Sequence, residues 1–145
     1  MTRRERYKRR KIRRIATRVR KVLYENVNRI DDYPSFQDYR DLSGYCGYGS
    51  VLLWHELKKH GYRPRIMTSD CHWFVVCSGL LVDVTASQFG MHKVCVQDYT
   101  HVRRIIKSGE RNISWWETKG LGAKNPKNAD LGDNERKLRD LGLVA

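Results

Sequence analysis

The sequence predicts a single α+β domain in which a long N-terminal helix precedes a small antiparallel sheet. Three observations carry this reading. Over residues 3–30, Ile12, Ile15, Val19, Val22, Leu23 and Ile30 recur at the three- and four-residue spacings of an α-helix. After Pro64 the apolar period changes to two, giving strands at 65–68, 72–77, 80–84 and 92–96. Ser78-Gly79, between the second and third of these, is a two-residue hairpin turn. A length of 145 residues suits one domain, and 40% hydrophobic residues suffice for a modest core. Eleven glycines and three prolines exclude a collagen-like or low-complexity chain. No apolar run approaches the roughly 18 residues of a spanning helix, so no membrane partner is expected.

The remaining elements follow in order. The apolar stripe of the first helix begins only at Ile12. The first eleven residues therefore have nothing to bury and are expected to order on meeting a partner. Asp31-Asp32-Tyr33-Pro34 ends this helix, and residues 35–38 have a capping-box-like spacing that opens a short one. Gly44, Gly47 and Gly49 lead into an apolar helix carrying Val51, Leu52, Leu53, Trp54 and Leu57, which stops at Gly61. Residues 103–106 read as a further strand. Residues 119–133 are rich in Gly, Asn, Lys and Asp and read as loop, and residues 134–142 as a short terminal helix.

Charge is distributed unevenly. The chain carries +13, of which residues 1–21 hold +11 from twelve Lys and Arg against one acidic residue; the other 124 residues carry +2. A basic arm on a nearly neutral body suits a tether to an acidic partner, either nucleic acid or an acidic protein. Arg3, Arg4, Arg6, Lys8, Arg9, Arg10, Lys11, Arg13 and Arg14 are the residues expected to meet such a polyanion. The arm lacks the apolar stretch of a secretory signal and the serines of a transit peptide, so a cytoplasmic location is expected. In that compartment cysteines 46, 71, 77 and 95 are free, catalytic or metal-bound rather than paired.

Three segments carry chemistry: Leu42-Ser43-Gly44-Tyr45-Cys46-Gly47-Tyr48-Gly49-Ser50, Cys71-His72-Trp73-Phe74-Val75-Val76 and Leu81-Val82-Asp83-Val84-Thr85. Cys46 lies where a glycine-rich turn enters a helix, and the unpaired N–H groups of a helix start favour the anionic, nucleophilic form of a thiol. With Ser78-Gly79 as the turn, Cys77 faces Leu80, Phe74 faces Asp83 and His72 faces Thr85. Alternation then places His72 and Asp83 on one face as diagonal neighbours, roughly 7 Å apart at the backbone. A carboxylate there can hold one imidazole nitrogen and turn the other toward a nucleophile. Tyr45 and Tyr48 flank the thiol and, with Trp73 and Gln88, are the expected walls of a substrate cleft. Trp115-Trp116 are further aromatics suited to a core or a cleft.

The order of a helix-starting Cys, a strand His and an Asp on the next strand resembles the papain-like superfamily of cysteine enzymes. Leu81-Val82-Asp83-Val84-Thr85-Ala86-Ser87-Gln88-Phe89 is similar to the Val-Asp-Pro-Thr-like segment of its transglutaminase-like branch. The Cys-Gly start is also similar to that of bacteriocin-leader peptidases. The resemblance covers residues 42–90. It implies a papain-like catalytic domain over 31–118 between the basic helical arm, 1–30, and a polar tail, 119–145. It also implies Cys46 as nucleophile, His72 as general base and acid, and Asp83 as the orienting acid. The reaction implied is attack on an amide or isopeptide bond of a protein or peptide through a thioester. Water would then give a peptidase or deamidase and an amine an acyl transferase. The chain departs from the pattern in two places. Val84 stands where many relatives have Pro, and position 40 is Arg where a Gln oxyanion donor is found, the nearest being Gln37. The backbone N–H of Cys46 is the first oxyanion donor, and the resemblance assigns no second.

Rival chemistries are weaker. His92-x-x-Cys95 has zinc-ligand spacing but no Cys-x-x-Cys accompanies it, and Gly44-x-x-Gly47-x-Gly49 lacks the Lys-Ser/Thr of a phosphate loop. No metal and no cofactor are expected. The other function class open to the sequence is a nucleic-acid or acidic-partner binding protein that uses its arm and in which the Cys, His and Asp do no catalysis.

Overall fold

The computed structural model describes residues 1–30, 42, 44–69, 72–89, 92–108 and 127–145. Within them the chain is a mixed α+β structure of four α-helices and one antiparallel sheet. The elements run α1 (Arg3–Ile30), α2 (Cys46–Lys59), β1 (Arg65–Ser69), β2 (His72–Cys77) and β3 (Leu80–Asp83). A 3-10 turn (Ala86–Phe89), β4 (Cys95–Asp98), α3 (Tyr99–Ser108), β5 (Lys127–Asn128) and α4 (Gly132–Asp140) complete the order. The five strands lie in the order β4-β3-β2-β1-β5.

The hairpin between β2 and β3 has the register expected from its turn. Cys77 pairs with Leu80, Val76 with Leu81 and Val75 with Val82. Ser78 and Gly79 both take positive φ, 52° and 76°, the backbone of the tight turn that matches strand twist. Alternating residues then serve two apolar layers. Ile66, Val75, Cys77 and Val82 face α1 and α2, whereas Met67, Phe74, Val76 and Leu81 face Tyr99 and Val102 of α3.

Helix α1 begins at Arg3, well before its apolar stripe. Thr2 and Glu5 form a reciprocal capping box: the Thr2 backbone N–H donates to Glu5 Oε2 at 2.6 Å, and the Glu5 N–H to Thr2 Oγ1 at 3.1 Å. The helix thus runs through residues 3–11 ahead of the apolar stripe. Further along, arginines reach carbonyls of the β4 region. Arg9 Nη2 donates to Val96 O at 2.6 Å, and Arg13 Nη1 to Val94 O at 3.2 Å. Arg20 is buried among the apolar residues of α1 and donates through Nη1 to Val84 O at 2.8 Å and Lys93 O at 3.0 Å.

Other expectations change. Residues 103–106 belong to helix α3, not to a strand. Tyr99 and Val102 are a helical three apart, and Asp98 Oδ1 accepts the His101 N–H at 2.8 Å, fixing a helix start. The last long strand lies at Cys95–Asp98, two to three residues later than its apolar pattern placed it. Within the stretch read as loop, Lys127 and Asn128 pair with Thr68 and Met67 of β1. The expected short helix at 35–38 and Trp115-Trp116 lie outside the described residues. No helix among the described residues is long and apolar enough to cross a membrane.

Gly49 is where α2 passes closest to α1 and the end of β3. A Cβ there would stand 2.8 Å from Val84 Cγ2, 3.1 Å from Leu23 Cδ2 and 3.2 Å from Thr85 Cγ2. Gly49→Ala is therefore expected to lower stability by about 1–3 kcal/mol, although Ala is the better helix former by about 1 kcal/mol. Urea denaturation checks this; an unchanged or raised midpoint would show that the helix and the strand end do not meet so tightly.

Candidate active site

The first turn of α2 is set by a bend in the chain before it. Leu42 and Gly44 take positive φ, 63° and 86°, and the Tyr45 N–H donates to Leu42 O at 3.1 Å. A leucine holds this conformation only under constraint, and here its side chain is fully buried. Cys46 is the first residue of the helix and is half-buried. Tyr45, at the N-cap, supplies no side-chain cap to the first turn.

His72 opens β2 and Asp83 closes β3, so both stand at the same end of the hairpin. His72 Nε2 lies 2.6 Å from Asp83 Oδ2, with the two side chains 0% and 2% exposed. The other carboxylate oxygen, Oδ1, accepts the Thr85 N–H at 2.8 Å and the Thr85 hydroxyl at 3.1 Å. Gln88 Nε2 donates in turn to Thr85 Oγ1 at 3.0 Å. Behind the imidazole, Phe74 stacks at 6.2 Å between ring centres, with Tyr99 beyond it.

The Cys46 thiol completes the group. Burial alone drives a histidine toward its neutral form. Here the charge and hydrogen bond of Asp83, followed by a hydrogen bond to Cys46, outweigh burial and push the His72 pKa up from 6.5 to about 10. Asp83 holds the ring through Nε2, which fixes its orientation. His72 and Asp83, eleven residues apart along the chain, form a buried hydrogen-bonded pair, and Cys46 at the start of α2 lies near enough to add to the same shift.

The residues expected to wall a cleft are placed unequally. Tyr45 is buried in the core, with its ring 6.4 Å from that of Tyr48. Tyr48 and Trp73 are half-buried and pack against the same core. Gln88 lies on the hydrogen-bonded chain that ends at the carboxylate. Among the basic residues expected to meet a polyanion, Arg9 and Arg13 hold backbone carbonyls. Lys8 Nζ lies 3.4 Å from Ser78 O, and Lys11 lies over the Tyr62 ring. Arg3, Arg4, Arg6, Arg10 and Arg14 are exposed.

Three residues at the site were not singled out from sequence. Thr85 carries a signal, since a hydroxyl two residues after an Asp is a spacing at which local hydrogen bonds form. Arg20 carries one too, being the one arginine in phase with Ala16, Leu23 and Val27 on the buried side of α1. Asn134 carries none. It sits on α4, which docks on α2 through a 2.8 Å contact between His55 Nε2 and Glu135 Oε2. Its amide lies against Gly47, where a Cβ would stand 2.6 Å from Nδ2. Among the described residues no group of three His, Cys, Asp or Glu could hold a metal ion. No protein-family model, no curated protein and no solved structure matches this chain.

The direction of the His72 shift gives a test. Its folded-state pKa lies above the unfolded value, so its contribution to stability is complete below about pH 6.5. That contribution is lost as pH rises toward the folded value of about 10. In Asp83→Asn, burial goes largely unopposed, so the ring is expected to titrate below 6.5 and this alkaline loss to disappear. NMR titration of the His72 ring nitrogens checks both; an unchanged titration would mean that the carboxylate does not govern the ring.

Proposed function

We propose that this protein is a cysteine-dependent enzyme of the papain-like, transglutaminase-like type that acts on amide or isopeptide bonds through a thioester. One observation carries the reading. A buried imidazole is gripped by a buried carboxylate, and a half-buried thiol at a helix start lies near enough to act on the same ring.

The chemistry follows from that placement. His72 is protonated at neutral pH because Asp83 raises its proton affinity, and the thiolate of Cys46 is the attacking form. The thiolate attacks the carbonyl carbon, forming the C–S bond and moving the π electrons onto oxygen. As the C–N bond breaks, His72 gives its proton to the leaving amine and becomes neutral, and the acyl group remains on Cys46. The neutral ring then takes a proton from water or an acceptor amine, whose attack releases the acyl group and restores the thiolate–imidazolium pair. Asp83 stays ionised throughout and holds the ring's orientation.

The tetrahedral oxyanion needs two donors. The backbone N–H of Cys46 is the first. The second is assigned to the side-chain amide of Asn134, which lies beside Gly47 and makes no hydrogen bond of its own among the described residues. This donor comes from the C-terminal helix and takes the place of a glutamine ahead of the nucleophile.

Cys46→Ala is expected to abolish labelling by iodoacetamide near neutral pH, read by mass spectrometry. Equal labelling of Cys71, Cys77 or Cys95 in that variant would overturn the assignment of the nucleophile. Asn134→Ala is expected to leave alkylation of Cys46 intact while slowing its acylation by p-nitrophenyl acetate about 100-fold. Equal slowing of both reactions would point to a structural effect on α2 and remove Asn134 from the oxyanion site.

A further inference from the structure

The outer side of α1 forms a continuous line of cations. Arg3, Arg6, Arg10, Arg14 and Lys21 recur at multiples of three and four residues, so they stand on one side of the helix, opposite Ile12, Ala16, Val19 and Leu23. All five are exposed. Arg3, Arg6, Arg10 and Arg14 face no carboxylate among the described residues, and Lys21 has only Glu25, at 3.9 Å. The line spans about 27 Å at 1.5 Å per residue, and the rigid helix holds its spacing without further loss of backbone freedom.

The line does not end in open solvent. Thr17, Lys21 and Tyr24 continue it into an open hollow of about 450 Å³, lined among the described residues also by Arg20 and Lys93. This is a volume suited to one nucleotide-sized group. Tyr24, which lines the hollow, is 41% exposed.

We propose that α1 binds a single strand of nucleic acid, with phosphates along Arg3, Arg6, Arg10, Arg14 and Lys21 and a base seated in the hollow against Tyr24. Charge complementarity supplies the attraction. The composition of the face selects this occupant over other anions. An anionic membrane would call for aliphatic side chains on the outward line, and between Arg6 and Lys21 that line holds Tyr7, Arg10, Arg14 and Thr17, none of them aliphatic. An acidic protein would not need an aromatic ring beside the cations, whereas a base stacks on one. This function is independent of the thiol chemistry.

The test is fluorescence anisotropy of a labelled 15-nucleotide oligo(dT) with the full chain. Five phosphate contacts on a single strand predict a log-log salt slope near −3.5, so that affinity falls roughly 100-fold between 50 and 200 mM salt. Replacing Arg3, Arg6, Arg10 and Arg14 together by Gln should bring the slope near −0.7 while leaving the helical circular dichroism unchanged. Tyr24→Ala should weaken binding about tenfold at constant slope. Two results would overturn the proposal. One is unchanged binding in the quadruple variant. The other is equal affinity for polyglutamate, a DNA duplex or phosphatidylserine vesicles together with indifference to Tyr24→Ala, which would reduce the face to a nonspecific charge.

Discussion

The buried pair of His72 and Asp83 is the constraint around which the site is organised. Neither group can be taken out of water alone at reasonable cost, since an isolated buried carboxylate loses its hydration and an isolated buried imidazole loses its charge. Each is therefore held by the other, at 2.6 Å. The remaining carboxylate oxygen is saturated by two donors from Thr85. The tight turn at Ser78-Gly79 sets the pairing, because a shift of one residue would send one of the two side chains to the opposite face. Gly49 and Arg20 then hold the strand end beneath the helix that presents the thiol. Gly49 lets the helix approach, and Arg20 ties the Val84 carbonyl to α1.

Helix α1 has two unlike sides, and its arginines divide between them. Arg9, Arg13 and Arg20 turn inward and use their planar donors on backbone oxygens, a task for which a guanidinium carries its charge with less hydration loss than an ammonium. Arg3, Arg6, Arg10 and Arg14 turn outward and have no such employment. Net charge alone does not separate the two sets. Their phase relative to the apolar stripe does, with Arg20 falling on the buried side and Arg10 and Arg14 on the far side.

Much of the fold was legible because local signals agreed with one another. The change of period after Pro64, the Ser-Gly turn and the glycine-punctuated entry to α2 each point to the element found there. They also place Cys46 at a helix start, with His72 and Asp83 on one sheet face. What local pattern could not carry is tertiary. The apolar residues at 99–106 satisfy a strand or a helix over so short a window, and the capping aspartate at 98 decides for the helix. The ordering of the first eleven residues turned on Thr2 and Glu5, a capping box with no apolar stripe beside it. Asn134 reaches Gly47, next to Cys46, because α4 docks on α2 through His55 and Glu135, a contact spanning 80 residues of sequence.

The inward-turned arginines have a consequence for how copies of this chain behave toward one another. Strand β4 lies at the rim of the sheet, where unpaired backbone groups would ordinarily invite a strand from another molecule. Arg9 and Arg13 take the carbonyls of Val96 and Val94 from the side, so guanidinium groups stand where an intruding strand would have to bond. The opposite rim, β5, is two residues long among the described residues. Among the described residues, both rims of the sheet are thus poor templates for adding a strand from another molecule.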